Sequence, residues 1–108
     1  MAGNAVLVLT TWPAERDSAP LARTLVEERL AACVAVLGEM ASTYRWAGRL
    51  ETSAERQLII KTVDDRVSAL ESRLRALHPY EVPEFLVLST TGAGALYLAW
   101  LREGTSPT

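Results

Sequence analysis

Two long β-rich segments joined by a short turn limit the folds open to this 108-residue chain. Residues 33–46 and 50–63 alternate apolar and polar side chains with the period of a strand, and Gly48 can supply the positive φ of a tight turn with a bulge. The side chains expected on one face are Val34, Val36, Met40, Tyr44, Trp46, Leu50, Leu58 and Ile60. Those expected on the other face are Glu39, Arg45, Glu51, Glu55 and Gln57. A strand of about 14 residues would run about 45 Å, whereas a compact domain of this size has a radius of gyration of about 13 Å. We therefore expect the hairpin to reach other copies of the chain, unless a bulge folds it back onto its own helices.

The order of elements around this hairpin predicts the fold class. Further strands are expected at 4–11 and 84–90, and helices at 18–31, from Asp64 or Asp65 to Pro79, and at 95–102. The resulting βαββαβ order predicts an α+β protein, a ferredoxin-like sandwich with both main helices on one face of an antiparallel sheet and an extra C-terminal helix. The length predicts a single domain over residues 1–108, with an ordered core at about 4–103 and a tail at 104–108.

Composition excludes several classes of protein. Eleven basic and thirteen acidic side chains leave no basic excess, so we expect no nucleic-acid partner. The single cysteine, Cys33, excludes a disulfide within the chain and a CxxC zinc site, and it fits a reducing compartment. The apolar run from Ala5 to Leu9 is too short for a signal sequence or a membrane span. We expect a soluble, cytoplasmic protein without membrane insertion.

The segment HPYEVPE at 78–84 is the most rigid polar stretch of the chain. Two prolines restrain a loop that carries an imidazole, a phenol and two carboxylates, from His78, Tyr80, Glu81 and Glu84. One interpretation is a pre-organised binding rim in which neutral His78 coordinates a ligand or accepts a proton. The other is a stiff connector between helix and strand whose polar groups satisfy backbone groups at a subunit contact. In that case Glu81 and Glu84 could pair with Arg45 or Lys61 across an interface.

Other candidates lie on the hairpin. Lys61 is the only lysine and ends an apolar run, so it either extends from a sheet edge into solvent or projects into a cleft. Tyr44, Arg45 and Trp46 could line a ligand cleft, but aromatic side chains at a hairpin tip are more often interface anchors. Cys33 follows two alanines, a setting typical of a small buried apolar residue.

Four motifs together resemble the CutA divalent-cation tolerance family. They are LVEERLAACVAVLGEMASTYRWAGRLE, IKT, HPYEVPE and YLAWL, and the resemblance extends from Val6 to Leu101. It implies a trimeric ferredoxin-like protein whose subunits exchange strand contacts and enclose clefts, in an arrangement similar to the PII signalling proteins. The partner contact is therefore expected to be a homotrimer formed through the 33–63 hairpin.

The resemblance also implies a link to divalent metals, chiefly copper. The copper site proposed for the family uses a cysteine and a His-His pair, and the corresponding positions here are Thr10, Leu77 and His78. Only His78 is retained, and a lone imidazole is a weak basis for copper. Any Cu²⁺ or other divalent cation would have to recruit Glu81, Glu84 or a neighbouring subunit. No organic cofactor is expected.

These observations favour a non-catalytic trimeric protein of divalent-metal tolerance that binds a metal ion or small ligand in clefts between subunits. The predicted cleft residues are Tyr44, Arg45, Trp46, Lys61, His78, Tyr80, Glu81 and Glu84. One alternative is a scaffold or a trimer that binds an unidentified protein partner. Another is a lyase or isomerase that uses His78 or Tyr80 with Glu84 as acid and base. The sequence contains no Ser-His-Asp set, HExxH or phosphate-binding loop to support other enzyme classes.

Overall fold

The computed structural model of the protein describes residues 3–107. The strands are β1 (Ala5–Pro13), β2 (Cys33–Trp46), β3 (Arg49–Val63) and β4 (Leu86–Ser89), and the helices are α1 (Ala19–Glu27), α2 (Val67–Leu77) and α3 (Ala95–Thr105). The predicted bounds of β2 are confirmed, because its alternating pattern has a clear start and end. None of the helices in residues 3–107 is long and apolar enough to cross a membrane.

The four strands form one antiparallel sheet in the order β2-β3-β1-β4. Helices α1 and α2 pack on the face that carries Val8, Leu58 and Ile60, all three fully buried. This order and the shared helix face confirm the predicted ferredoxin-like sandwich. The helices contribute Leu21, Leu25, Leu70 and Leu74 to the same core, at about 1.5–3 kcal/mol for each buried leucine.

The opposite face of the sheet, here called the open face, is apolar beside β4 and is not covered by α1 or α2. Leu7 pairs with Leu88 across β1 and β4, and Leu9 pairs with Leu86 on one side and Ile59 on the other. Leu7, Leu9 and Ile59 are only half-buried, and every residue of β4 is exposed. The sheet therefore buries one apolar face within the chain and leaves the other accessible.

Helix α1 ends four residues earlier than predicted, at Glu27 rather than residue 31. Arg29 adopts a left-handed conformation with φ of 61°, its N–H binds the Val26 carbonyl, and the Leu30 N–H binds the Leu25 carbonyl. These are the two bonds of a Schellman motif, which ends a helix and is usually built on glycine. The arginine at this position concealed the helix end from sequence reasoning.

The β2–β3 hairpin contains a bulge that changes the predicted faces. Val36 pairs with Leu58 but Glu39 pairs with Arg56, so β2 carries one extra residue between them. An extra residue exchanges the two faces of one strand relative to its partner. Beyond the bulge Met40, Tyr44 and Trp46 therefore lie on the face opposite to Val34, Val36 and Leu50, and the prediction of one shared face is wrong.

The start of α2 and the end of α3 differ from the prediction. Asp64 does not cap α2; its side chain accepts hydrogen bonds from the backbone N–H groups of Gly3 and Asn4, and a short 3-10 turn at Asp64–Arg66 precedes the helix. Helix α3 continues through Gly104 to Thr105, so part of the predicted 104–108 tail is helical. A Cβ on Gly104 would lie 3.2 Å from the Ala32 Cβ, so a larger residue here would require α3 and Ala32 to move apart by a few tenths of an ångström.

The hairpin turn is a two-residue loop in which Ala47 has φ of 52° and Gly48 has φ of 78°. The positive φ at Gly48 is confirmed, but a two-residue turn of type I′ replaces the predicted turn bulge.

Because asparagine tolerates the left-handed region better than alanine, Ala47→Asn should stabilise the hairpin by about 0.5–1 kcal/mol. Slower hydrogen exchange at Thr43 and Glu51 would show this, and unchanged exchange rates would contradict it.

Candidate ligand-binding cleft

A cavity of about 710 Å³ lies where the hairpin leaves the body of the protein. Its floor is formed by Thr11, Glu55 and Gln57 on the open face, and one wall by alternate residues of β2 beyond the bulge. The loop between α2 and β4 forms the other wall. The lining residues are Thr11, Met40, Ser42, Tyr44, Trp46, Glu55, Gln57, Pro79, Tyr80, Glu81, Val82, Pro83 and Glu84.

The structure brings five of the eight predicted cleft residues to this cavity: Tyr44, Trp46, Tyr80, Glu81 and Glu84. Arg45 points to the opposite face of β2, because neighbouring residues of a strand alternate between faces. Lys61 lies four residues beyond Gln57 along β3, in a separate depression of about 390 Å³ beside α3. His78 is buried behind the cavity rather than in its lining. Within one chain Arg45, Lys61 and His78 therefore lie apart from the other five, and the cleft predicted between subunits stays a prediction.

His78 holds the 78–84 loop against β1. Its Nε2 lies 2.7 Å from the Thr11 carbonyl oxygen, and its Nδ1 accepts the backbone N–H of Tyr80 at 3.0 Å. A carbonyl only accepts and an N–H only donates, so the ring must be neutral with its proton on Nε2. Trp12 packs edge-on against the ring, with centroids 5.0 Å apart. The imidazole thus acts as a buried connector between loop and strand.

Glu55 and Tyr80 form a polar contact at the cavity floor. The Tyr80 hydroxyl donates to Glu55 Oε2 at 2.7 Å, and only 6% of Glu55 is exposed. Burial, and then the hydrogen bond to the Glu55 carboxylate, raise the pKa of Tyr80 well above its usual range. The phenol therefore stays protonated near neutral pH and donates to the carboxylate.

Gln57 fixes the position of Glu84. The Gln57 Nε2 donates at 2.8 Å to the Thr10 carbonyl oxygen and at 2.8 Å to Glu84 Oε2. This side-chain amide ties the end of the proline-containing loop to the sheet, with no basic residue involved. Glu84 is therefore held by an amide, and not by Arg45 or Lys61 within the chain.

Comparison with known proteins identifies the family of this chain. The model of the CutA1 divalent ion tolerance protein family matches residues 6–104. The chain belongs to this family. A divalent-cation tolerance protein CutA of Thermus thermophilus is 43% identical over 99 residues, which cover 92% of this chain and 96% of that protein. The crystal structure of CutA from Xylella fastidiosa matches with a TM-score of 0.90 at 41% identity, covering 95% of this chain and 99% of the other.

A solved divalent cation tolerance protein (Cut A1) of Thermus thermophilus gives a TM-score of 0.89 at 42% identity and covers 94% of this chain and 99% of its own. These matches confirm the predicted CutA resemblance and the ferredoxin-like fold class.

The residues present do not form a copper site within one CutA1 chain. Within residues 3–107 no group of three or more His, Cys, Asp or Glu side chains is placed to hold a metal ion. Both ring nitrogens of His78 are engaged in hydrogen bonds, and Thr10 presents a buried hydroxyl in place of a thiol. Soft ligands are what copper selects, and here they are replaced or occupied.

Sequence reasoning missed Glu55 and Gln57, which occupy the centre of the cleft in this CutA1 family member. It assigned both to the face opposite Tyr44, because it carried one alternation through the whole hairpin. The bulge between Val36 and Glu39 places Glu55 on the same face as Tyr44 instead. The one available signal is Gly38, since a glycine inside a strand often marks a bulge.

The buried imidazole predicts a pH dependence of stability. Burial lowers the pKa of His78 from 6.5, and the Thr11 carbonyl and the Glu55 carboxylate only partly oppose this. Below about pH 6.5 the unfolded chain binds a proton that the folded chain excludes, so the free energy of unfolding falls as pH falls. Above that pH the ring is neutral in both states and contributes no slope. Urea unfolding across this range should show the loss in the wild type, and a His78→Gln variant with the same slope would contradict it.

Proposed function

We propose that this chain acts in divalent-cation tolerance as a cytoplasmic, non-catalytic homotrimer that binds a small ligand in the cleft described above. Its membership of a family of divalent ion tolerance proteins supports the physiological role. The observation that carries the assembly is β4, a strand of four residues that are all exposed although three of them are large and aliphatic.

The shape of the chain supports a shared assembly. Its principal extents are 44 × 27 × 23 Å and its radius of gyration is 14.5 Å, compared with about 13 Å for a compact domain of this length. The hairpin accounts for the elongation, and Trp46 and Leu50 near its tip are 49% and 73% exposed. Large apolar patches of this kind mark interaction surfaces in soluble proteins.

The two free edges of the sheet suggest how copies join. Within residues 3–107, β2 and β4 each have only one neighbouring strand, so each presents unpaired backbone groups along its outer side. Pairing β2 of one copy with β4 of the next is a contact between unlike surfaces, which generates a closed ring when the rotation permits. The number three comes from the resemblance to the CutA family. In such a ring the apolar open faces would pack on each other.

The cleft chemistry favours binding over catalysis. An acid-base pair needs a group that exchanges its proton near neutral pH, next to a substrate. The Tyr80 phenol stays protonated, and the two nitrogens of His78 are tied to backbone groups. Glu84 is held by Gln57, so the three residues of the alternative lyase or isomerase do not converge on one reacting position.

The test of this proposal combines assembly and metal binding. Sedimentation of the purified chain at micromolar concentration should show a species of three times 11.8 kDa, and a lone 11.8 kDa species would overturn the proposal. Calorimetric titration with Cu²⁺ should show only weak binding, with a dissociation constant that is micromolar or larger and is the same in His78→Gln. Tight copper binding lost in that variant would instead assign the metal to His78.

A further inference from the structure

The cavity floor contains a buried carboxylate with an unused acceptor. Glu55 is 94% buried, and its Oε2 accepts the Tyr80 hydroxyl. Its Oε1 makes no hydrogen bond to any residue in 3–107, and this oxygen is not fully buried. Glu55 lines the cavity, which gives a ligand access to this partly exposed oxygen.

Among the described residues that line the cavity, none carries a positive charge to offset this carboxylate. The lining holds three carboxylates, from Glu55, Glu81 and Glu84, and no lysine, arginine or histidine. In the part of the chain that the structure describes, the single salt bridge joins Arg73 of α2 to Glu28, the residue that follows α1. A buried carboxylate without a cation is unfavourable, so a positively charged ligand would relieve a cost that the fold carries.

The rest of the lining is suited to an organic ion. Tyr44 and Trp46 stand on the β2 wall, where their rings can receive a cation, and Met40, Val82 and Pro83 supply apolar surface. The volume of about 710 Å³ lies within the range of sites for small molecules. A bare metal ion fits poorly, because the carboxylates do not form a cluster that could hold one.

We propose that the cleft binds a small organic ammonium ion, with the charged nitrogen at Glu55 Oε1 and the apolar part against the β2 wall. This specifies the ligand class of the proposed function and depends on the cleft remaining open in the assembled protein. Glu81 and Glu84 strengthen the negative potential around the nitrogen, and an anion of the same size is repelled by all three carboxylates.

The experiment compares three probes that share a ring and differ in charge. Benzylammonium, benzyl alcohol and benzoate are titrated into the full-length protein near neutral pH, with binding followed by calorimetry and tryptophan fluorescence. Benzylammonium should bind at least about tenfold more tightly than the other two, and added salt should weaken it. Equal binding of the alcohol or the benzoate, or no binding of benzylammonium at millimolar concentration, would overturn the inference.

Two substitutions locate the site and one serves as a control. Glu55→Gln keeps an acceptor for Tyr80 but removes the charge, and it should weaken benzylammonium by at least about tenfold. Trp46→Leu changes an exposed side chain, keeps the charge, and should weaken it by about threefold. Glu71→Gln, exposed on α2 and outside the lining, should leave it unchanged. Unchanged affinity in both cleft variants, or equal loss in the control, would overturn the site.

Sedimentation of the same samples separates this inference from the proposed assembly. A trimer that does not bind benzylammonium would overturn the ligand class and leave the trimer standing, for example if a basic side chain of a neighbouring copy fills the cleft. A monomer that binds benzylammonium with the Glu55 dependence would support the cleft and overturn the trimer. Cu²⁺ that competes with benzylammonium and binds tightly would show that the cleft takes a metal instead.

Discussion

The Leu88→Glu variant is expected to sediment as an 11.8 kDa monomer under conditions in which the wild type forms the proposed trimer. Leu88 lies on the open face, paired with Leu7, and is 42% exposed in the single chain. A carboxylate there remains solvated in the monomer but would be buried between apolar faces in the proposed ring. Burying an unpaired charge costs more than about 2 kcal/mol, the loss that marks a hot-spot residue. Since the ring repeats the contact in every subunit, the whole assembly should be lost.

The matched control is Val26→Glu. Val26 is 40% exposed, close to Leu88 in exposure, but it lies on α1 on the other side of the sheet. Glutamate is a good helix former, so this variant should fold and remain a trimer. Far-UV circular dichroism of both variants reports whether the fold is kept. A trimer that persists in Leu88→Glu, or one that dissociates equally in Val26→Glu, would show that the open face is not the interface.

The His78→Ala variant is expected to lose about 3 kcal/mol of stability, as measured by urea unfolding. The substitution leaves the Thr11 carbonyl and the Tyr80 N–H without their side-chain partner, at about 1–3 kcal/mol for each buried group left unpaired. It also removes the ring that packs against Trp12, and part of the resulting cavity stays empty. A metal ligand that made no structural contacts would cost little when removed from the metal-free protein.

His78→Gln is the companion variant for this prediction. Its side-chain amide can still donate to the Thr11 carbonyl, so it should recover part of the stability lost in His78→Ala. The loop from Pro79 to Glu84 should become more accessible to proteases in His78→Ala than in His78→Gln, because His78 ties it to β1. Equal, small losses below about 0.5 kcal/mol in both variants would contradict the connector role.

The same histidine shows how far sequence reasoning extends. The pattern around HPYEVPE predicted a rigid loop with candidate chemistry, and it left open whether His78 binds a ligand or satisfies the backbone. The hydrogen bond to Thr11 joins residues 67 positions apart, and no local pattern encodes such a contact. The choice between the two interpretations therefore needed the tertiary structure.

The amino-acid sequence by itself determined the element order, the bounds of β2 and the family, because periodicity and motif spacing are local properties of the chain. Tertiary structure decided which side chains meet in the cleft. A single extra residue between Val36 and Glu39 turned Glu55 toward Tyr44 and placed Leu50 on the other face. A bulge depends on how two distant strands align, and its energy is set by packing on both faces at once. The polar floor of the cleft followed from that alignment rather than from the alternation within either strand.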